Sequence, residues 1–119
     1  MLEVDVVRIS VIVPIYNVKL YIERCVRSLM EQTLENIEFI FVNDCTPDDS
    51  MDILHYVLEE YPKRREQIKI IEHETNRGIS AVRNTGLKNA TGQYIIYCDS
   101  DDWVEKNMYE KLLVKALET

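Results

Sequence analysis

Short apolar runs alternate along this chain with segments of helical periodicity, and this alternation limits the folds that the chain can adopt. Four runs are rich in β-branched residues and have the length of strands: residues 7–14, 37–42, 68–71 and 94–98. The segments that follow them carry apolar residues three or four positions apart, which is the spacing of an amphipathic helix. The resulting βαβαβαβα order predicts an α/β fold with a mainly parallel sheet and helices on both faces.

Capping and turn residues indicate where these helices begin and end. We expect helices over residues 18–32, from Thr46 to near Pro62, over residues 78–90 and over residues 104–117. Thr46 would cap the second helix, with Pro47 in its first turn and an acid three residues on. Gly92 is expected to be the glycine at the C-terminus of the third helix.

The bulk composition indicates one globular domain, residues 1–119, and excludes several classes of function. The chain has 119 residues, 46% of them hydrophobic, and a net charge of −7 from 14 basic and 21 acidic residues. An acidic chain of this kind is not expected to bind nucleic acid, which requires clustered Lys and Arg. The sequence also lacks an apolar run of the roughly 20 residues that a membrane span needs.

The N-terminus and the cysteines indicate a cytoplasmic protein. Residues 1–5 carry acids and no basic segment, so we expect no signal peptide. The three cysteines, Cys25, Cys45 and Cys98, form no C-x-x-C motif, and their odd number argues against a disulfide framework or a zinc site. A reducing cytoplasm is therefore the expected compartment.

Three carboxylates follow the fourth apolar run within four residues, in the segment Asp99-Ser100-Asp101-Asp102. Carboxylates this close repel one another unless something neutralises them. Oxygen ligands of this kind suit a hard divalent cation, Mg²⁺ or Mn²⁺, which commonly binds phosphate groups as well. Asp102 alone could instead cap the last helix. The segment as a whole predicts a metal bridge between the protein and a phosphorylated ligand.

Polar residues also follow the other three strands, and a parallel sheet would bring all four segments to one edge. They are Tyr16 and Asn17 after the first strand, Asn43 and Asp44 after the second, and Asn76 and Arg77 after the third. Asp44 and Asn17 could be only a turn residue and a helix cap. Arg77 and Arg83 could be only solvated charges on a helix. The convergence of the four segments is what indicates a ligand site.

Other motifs are absent from the sequence or incomplete. The three glycines form neither a Gly-x-Gly-x-x-Gly motif nor a Walker loop. The segment from Asp99 to Glu110 has the acids of a calcium loop, but Val104 stands where that loop needs glycine. His55 and His73 are interpreted as ordinary residues rather than as ligands.

Four stretches of the chain match a known family in order and spacing: residues 10–17, 41–48, 76–86 and 92–102. On these residues the chain resembles the N-terminal half of the family 2 glycosyltransferases, which are inverting enzymes of the Rossmann-like GT-A fold. The resemblance spans nearly the whole chain and is uninformative about the sugar. It implies a nucleotide-sugar donor, most often a UDP-sugar, and a Mn²⁺ or Mg²⁺ ion.

The resemblance also implies roles for individual residues. Pro14 and Tyr16 would shape the pocket for the base and the ribose, and Asp44 would hydrogen-bond the uracil edge. Asp101 would hold the cation against the diphosphate, so that the leaving nucleotide is neutralised as the glycosidic bond breaks. The remaining donor-binding residues would be Arg77 and Arg83 near the nucleotide, Asp99 at the ribose as the first acid of the D-x-D motif, and Ser100 beside it.

The chain departs from the family pattern in two places. Cys45 stands where the family usually has glycine, so we expect a stiffer turn after Asp44. Family members also continue for a long further segment, which supplies the acceptor site and the general base. We therefore expect a truncated chain that binds donor and holds no catalytic base. The surface exposed by truncation would promote self-association.

The resemblance implies the setting of the parent enzyme, and two other interpretations stay open. The acceptor would be a carbohydrate or a lipid-linked molecule, as in cell-surface polysaccharide synthesis, met in the cytoplasm or at the inner face of the membrane. The main alternative is a non-catalytic nucleotide-binding or regulatory remnant of the same fold. A haloacid-dehalogenase-like phosphatase would use Asp99 and Asp101, but its acids normally follow the first strand rather than the fourth.

Overall fold

Strands and helices alternate throughout the computed structural model, which describes residues 6–118. The strands are β1 (Ile9–Ile15), β2 (Ile37–Asn43), β3 (Ile68–Glu72) and β4 (Tyr94–Tyr97). The α-helices are α1 (Ile22–Met30), α2 (Ser50–Leu58), α3 (Ile79–Asn89) and α4 (Met108–Leu117), and a 3₁₀ helix covers Pro62–Gln67 after α2. The predicted order of elements is therefore confirmed.

Two predictions from the sequence concern a signal peptide and a membrane-spanning segment. The expectation that there is no signal peptide rests on residues 1–5, which lie outside the described residues. Within residues 6–118, no helix has both the length and the apolar character needed to cross a bilayer.

The four strands form one parallel sheet in the order β3-β2-β1-β4. Ile9 of the central strand β1 aligns with Ile37 of β2 on one side and with Tyr94 of β4 on the other. The chain runs outward from β1 to β3 and then returns across the sheet to β4, so the strand order reverses between β1 and β4. Ligands of open parallel sheets bind beyond the carboxyl ends of the strands at such a reversal.

Helices cover both faces of the sheet, as the sequence predicts. Helices α1, α2 and α4 pack on one face, against every second residue of β1: Ile9, Val11, Val13 and Ile15. Helix α3 packs on the other face, where its Val82 joins Ile12 of β1 and two residues of β2, Ile40 and Val42. Because both faces of β1 and β2 are covered, their sequences are apolar almost without interruption.

The approach of α3 to the sheet requires a glycine in the helix. A Cβ atom at Gly86 would lie only 2.5 Å from Ile12 Cγ2 and 2.8 Å from Ile12 Cδ1. The interpretation of Gly86 as a close packing point is therefore confirmed.

Three helices begin four residues later than predicted, and for α2 a loop contact uses the expected capping residue. Thr46 does not cap α2: its hydroxyl accepts a hydrogen bond from the Asn17 N–H at 2.8 Å and joins the loops after β1 and β2. Helix α2 begins at Ser50, with Asp49 as its N-cap residue, and Asp48 accepts a hydrogen bond from the Ser50 N–H at 3.1 Å. The other two late starts are Ile22 in α1 and Met108 in α4.

The prediction for Gly92 is wrong. Helix α3 ends at Asn89, and the residue after it, Ala90, has an extended backbone. The Gly92 N–H donates to Ser10 Oγ at 2.8 Å, and a Cβ at Gly92 would lie 2.7 Å from the Ser10 backbone nitrogen. Glycine is needed here because the chain passes against β1, and not because a helix ends.

A buried carboxylate, Glu38, joins β1, β2, β3 and the segment after α3. Its Oε2 accepts hydrogen bonds from Ser10 Oγ–H and Thr91 N–H, each 2.6 Å long, and its Oε1 lies 3.1 Å from Lys69 Nζ. Burial raises the pKa of Glu38, but these hydrogen bonds outweigh burial and hold the pKa below its ordinary value. Glu38 is therefore ionised at neutral pH.

The turn after β2 holds Cys45 in the left-handed region of the backbone, at φ 60°. An L residue with a side chain costs roughly 1–2 kcal/mol in this region, whereas glycine avoids the cost. The glycine usual in the family thus suits the backbone that the turn adopts, and Cys45 adds strain there. The expected stiffness of the turn stays a prediction.

Substitution of Glu38 should test the buried network. Glu38→Gln should lower the free energy of unfolding by about 1–3 kcal/mol at neutral pH, because the amide cannot accept all of the hydrogen bonds. The pKa of Glu38 is lowered in the folded state, so its contribution is complete above about pH 4 and is lost as the pH falls through the folded value. The difference between variant and wild type should shrink in acid, as measured by urea denaturation across a pH series.

The control for this experiment is Glu59→Gln at the exposed acid that follows α2. This control should change the free energy of unfolding little at any pH. A Glu38→Gln difference that does not change with pH would contradict the prediction.

Two substitutions of Cys45 should reveal the strain in the turn. Cys45→Gly should be more stable than Cys45→Ala by about 1 kcal/mol, which is the strain less the extra backbone entropy of glycine. The same pair at the exposed helical residue Lys88 should show the opposite order, because alanine is the better helix former. Thermal or urea unfolding measures both pairs, and a Cys45→Ala variant that is the more stable of the two would show that the turn is unstrained.

Candidate functional site

The loops that follow the four strands meet at one edge of the sheet, as the parallel topology predicts. The backbone N–H donors of these loops bind the strand ends: Asp44 to Ile15 at 3.0 Å, His73 to Asn43 at 2.9 Å and Cys98 to Ile12 at 3.0 Å. The loops are thus fixed to one another before any ligand is considered.

Asp44 follows β2 and is buried, with its carboxylate surrounded by donors. Oδ1 accepts from the Arg77 N–H at 2.9 Å and lies 2.8 Å from His73 Nδ1, and Oδ2 accepts from the Gly78 N–H at 2.9 Å. Burial raises the pKa of Asp44, but the hydrogen bonds from His73 and the two backbone N–H groups outweigh burial and leave the pKa below its ordinary value. Asp44 is therefore an ionised carboxylate that holds the loop after β3 against the end of β2.

His73 is the functional candidate that the sequence did not reveal. Its side chain is 5% exposed and contacts Asp44 through Nδ1 and Thr85 Oγ1 through Nε2, each at 2.8 Å. The sequence assigned it no role. Its position directly after β3, at the edge where the other polar segments meet, was the available signal.

The two arginines of the expected site lie near different strands. Arg77 precedes Gly78, which caps α3 with φ 93°, and its side chain is exposed. Arg83 projects from α3 and places its guanidinium 5.1 Å from the centre of the Tyr97 ring, at the end of β4. Arg83 thus lies beside the end of β4, which precedes the acidic motif, whereas the backbone of Arg77 contacts Asp44.

Pro14 and Tyr16 lie at the end of β1. Pro14 is half-buried within the strand, and Tyr16 is 42% exposed just beyond it. Asn17 has φ 55° and is not the cap of α1, because that cap is Tyr21. Tyr16 thus presents an exposed aromatic ring at the sheet edge where the loops meet.

The acidic motif after β4 presents three exposed carboxylates in one cluster. One oxygen from each of Asp99, Asp101 and Asp102 lies within 4.8 Å of the others. The Asp102 N–H donates to the Asp99 carbonyl at 3.0 Å, which closes a turn around the buried Ser100. Asp102 is not the cap of α4, since that cap is Asn107.

The donor set of this cluster suits a hard divalent cation. Its atoms are carboxylate oxygens, and none of the ion pairs among residues 6–118 involves the three side chains. Three uncompensated negative charges this close favour the binding of a cation that ligates through oxygen.

Side chains beneath and beside the acidic motif fix its backbone. The Asp99 carbonyl lies 3.8 Å from Cys25 Sγ of α1 and 3.7 Å from Cys98 Sγ. Next to the motif, the Arg24 guanidinium stacks 4.7 Å from the centre of the Trp103 ring. Two residues of α1, Cys25 and Arg24, thus contact the motif and the residue that follows it. The sequence did not assign this role to them.

Known glycosyltransferases are similar to this chain in sequence and in fold. The chain is 48% identical over 108 residues to the uncharacterized glycosyltransferase EpsJ of Bacillus subtilis strain 168. Its structure is similar to the crystal structure of S. aureus TarS residues 1–349 in complex with UDP-GlcNAc, with a TM-score of 0.81 and 32% sequence identity. It is also similar to the mannosyltransferase PcManGT from Pyrobaculum calidifontis in complex with GDP-Man and Mn²⁺, with a TM-score of 0.75 and 28% identity.

The matches cover most of this chain and a minority of each relative. They cover 91% of the chain and 30% of EpsJ, 93% and 31% for TarS, and 81% and 28% for PcManGT. The predicted GT-A fold is confirmed by the likeness to TarS. A profile of the Glycosyl transferase family 2 matches residues 10–119. This chain therefore belongs to glycosyl transferase family 2.

Proposed function

We propose that this chain binds the nucleotide-sugar donor of an inverting, metal-dependent glycosyltransferase. The observation that carries the proposal is the cluster of three carboxylates, which form no ion pair within residues 6–118, at the same sheet edge as the buried, ionised Asp44. The donor is proposed to be a UDP-sugar, in line with the UDP-GlcNAc complex of TarS. The GDP-Man complex of PcManGT shows that a relative of this fold takes a guanine nucleotide, so the base requires its own test.

The acidic motif is proposed to hold Mn²⁺ or Mg²⁺, with Asp101 as a ligand. Such a cation supplies Lewis-acid stabilisation of the negative charge on the leaving nucleotide diphosphate. Asp99 would contact the ribose from the same turn. Ser100, which is buried between these acids, would hold the turn that presents them.

The nucleotide is proposed to lie across the sheet edge from β4 to β2. Pro14 and Tyr16 at the end of β1 would border the base and the ribose. Asp44 would accept a hydrogen bond from the base. The two basic contacts to the nucleotide would come from Arg77 and Arg83, on either side of it.

We assign no catalytic residue within this chain. The general base, the acceptor site and the acceptor, a carbohydrate or lipid-linked hydroxyl, are proposed to belong to the longer catalytic domain that the relatives represent. That enzyme would act in cell-surface polysaccharide synthesis, in the cytoplasm or at the inner face of the membrane. The alternative function is a non-catalytic binding module of the same fold, which would bind nucleotide and transfer nothing.

The proposal is tested by calorimetric titration of UDP with and without Mn²⁺. Binding should require the cation, and Asp101→Ala should weaken it by at least about tenfold, because a carboxylate ligand is lost. Asp52→Ala, at an exposed acid of α2, is the matched control and should bind as wild type does. UDP binding that is indifferent to both chelator and Asp101→Ala would contradict the metal site. The absence of binding under every condition would contradict the donor-binding function itself.

The chain is also proposed to self-associate through β4 and α4. In the described part of the chain β4 is an edge strand with exposed Tyr94 and Tyr97, and α4 exposes four further apolar side chains: Met108, Leu112, Val114 and Leu117. Unpaired edges and contiguous apolar surface promote association.

Val114→Lys should shift the chain toward monomer in sedimentation experiments, because it places a charge in the proposed contact. Val114 is 54% exposed, so the substitution should leave the fold intact. Glu59→Gln, at the exposed residue after α2, changes the net charge by the same single unit and should leave the distribution unchanged. A wild type that is monomeric at high concentration would contradict the proposal.

A further inference from the structure

The hydrogen bonds around His73 indicate that its Nδ1 carries a proton. His73 Nδ1 lies 2.8 Å from Asp44 Oδ1, and both side chains are 5% exposed. An ionised carboxylate can only accept, so Nδ1 carries a proton and donates it. Nε2 lies 2.8 Å from Thr85 Oγ1, and a hydroxyl can either donate to this nitrogen or accept from it. The ring is therefore fixed at both nitrogens, between the end of β2 and α3.

The two carboxylate oxygens of Asp44 accept different numbers of hydrogen bonds. A carboxylate oxygen has two lone pairs that can accept. Within residues 6–118, Oδ1 receives the His73 Nδ1–H and the Arg77 N–H, whereas Oδ2 receives only the Gly78 N–H. Oδ1 is therefore filled, and Oδ2 keeps one lone pair for a ligand.

Nucleobases differ in how many donors they offer to a carboxylate. The imide edge of uracil has a single N–H between two carbonyl groups. Guanine has a ring N–H and an amino N–H side by side, a pair that suits both oxygens of one carboxylate. Cytosine has an acceptor nitrogen where uracil has its N–H. A donor that is desolvated and left unpaired costs binding free energy.

We propose that His73 determines base selectivity: by filling Oδ1 it leaves Asp44 one acceptor position, which matches uracil and rejects guanine. This rests on the proposed function, in which Asp44 meets the base. Uracil satisfies the free lone pair of Oδ2 with its one N–H. Guanine would leave its second N–H facing an oxygen that is already saturated. Thr85 assists by holding the far side of the ring.

The test measures the affinities of UDP, GDP and CDP in the presence of Mn²⁺ for three proteins. Wild type should prefer UDP over GDP by about tenfold or more, the value of one lost hydrogen bond, and should bind CDP weakly. His73→Leu frees Oδ1 while filling similar space, so its preference for UDP over GDP should fall by about tenfold. His73→Asn can still donate to Oδ1 through its side-chain amide, so it should keep the wild-type preference.

The ratio of UDP to GDP affinity distinguishes selectivity from a structural role. A merely structural defect lowers both affinities and leaves their ratio unchanged. Urea denaturation of each variant establishes that it is folded. If His73→Leu does not fold, Thr85→Val is the alternative variant, with Thr85→Ser as its control. Thr85→Val should lower the ratio of UDP to GDP affinity, as is expected for His73→Leu. Nitrogen NMR of the wild type should show the His73 proton on Nδ1.

The measured ratios and affinities either support or overturn the role of His73 in base selectivity. An unchanged ratio in folded His73→Leu, or a wild type that prefers GDP, would overturn the role of His73 while leaving donor binding in place. A wild type that binds none of the three nucleotides would overturn this inference together with the proposed function. A reduced ratio in His73→Leu that His73→Asn restores would support it.

Discussion

The buried carboxylate of Asp44 is the interaction on which the rest of the site depends. It ends β2, and three donors from the segment between β3 and α3 converge on it. A carboxylate buried without such donors would be costly, so the hydrogen bonds are the condition for its burial. Because two of the donors are backbone N–H groups at the start of α3, Asp44 also sets where that helix begins.

A second buried carboxylate, Glu38, fixes the other end of α3. It accepts from Thr91, just beyond the helix, and from Ser10 of β1. Between the two ends, Gly86 lets the helix lie directly on Ile12. Helix α3 is thus held at both termini by ionised groups and in its middle by close packing. The position of this helix therefore helps to fix the geometry of the sheet edge that carries the candidate site.

The sequence predicted the strands well because their signal is local. A run of apolar β-branched residues covered on both faces has few alternatives, and β2 was placed within one residue of its observed end. Helix starts were predicted less well, because capping depends on contacts across the fold. Thr46 has the chemistry of a cap, yet the loop after β1 uses its hydroxyl. Gly92 was likewise misread, since only the approach to Ser10 explains it.

The candidate site shows the same division between local and distant signals. The acids of the D-x-D motif stand together in the sequence, so their cluster was predictable. The partners of His73 lie 29 residues before it and 12 residues after it, and no spacing rule joins such residues. The thiols near the Asp99 carbonyl come from α1 and from the residue before the motif. These contacts follow from the order of strands in the sheet and from the placement of α3, which only the fold reveals.

The aspartates of this sheet edge fall into two electrostatic classes, which explains why one site would need both protein donors and a cation. Asp44 is stabilised by the protein: its carboxylate accepts hydrogen bonds from two backbone N–H groups and from His73, so its burial requires no metal. Asp99, Asp101 and Asp102 are exposed, and none of the ion pairs in the described residues includes them. The same residue type thus gives a prearranged acceptor at one end of the edge and an uncompensated charge at the other. A nucleotide diphosphate has the complementary division, with a neutral base that donates hydrogen bonds and a charged diphosphate that repels carboxylates unless a cation lies between them.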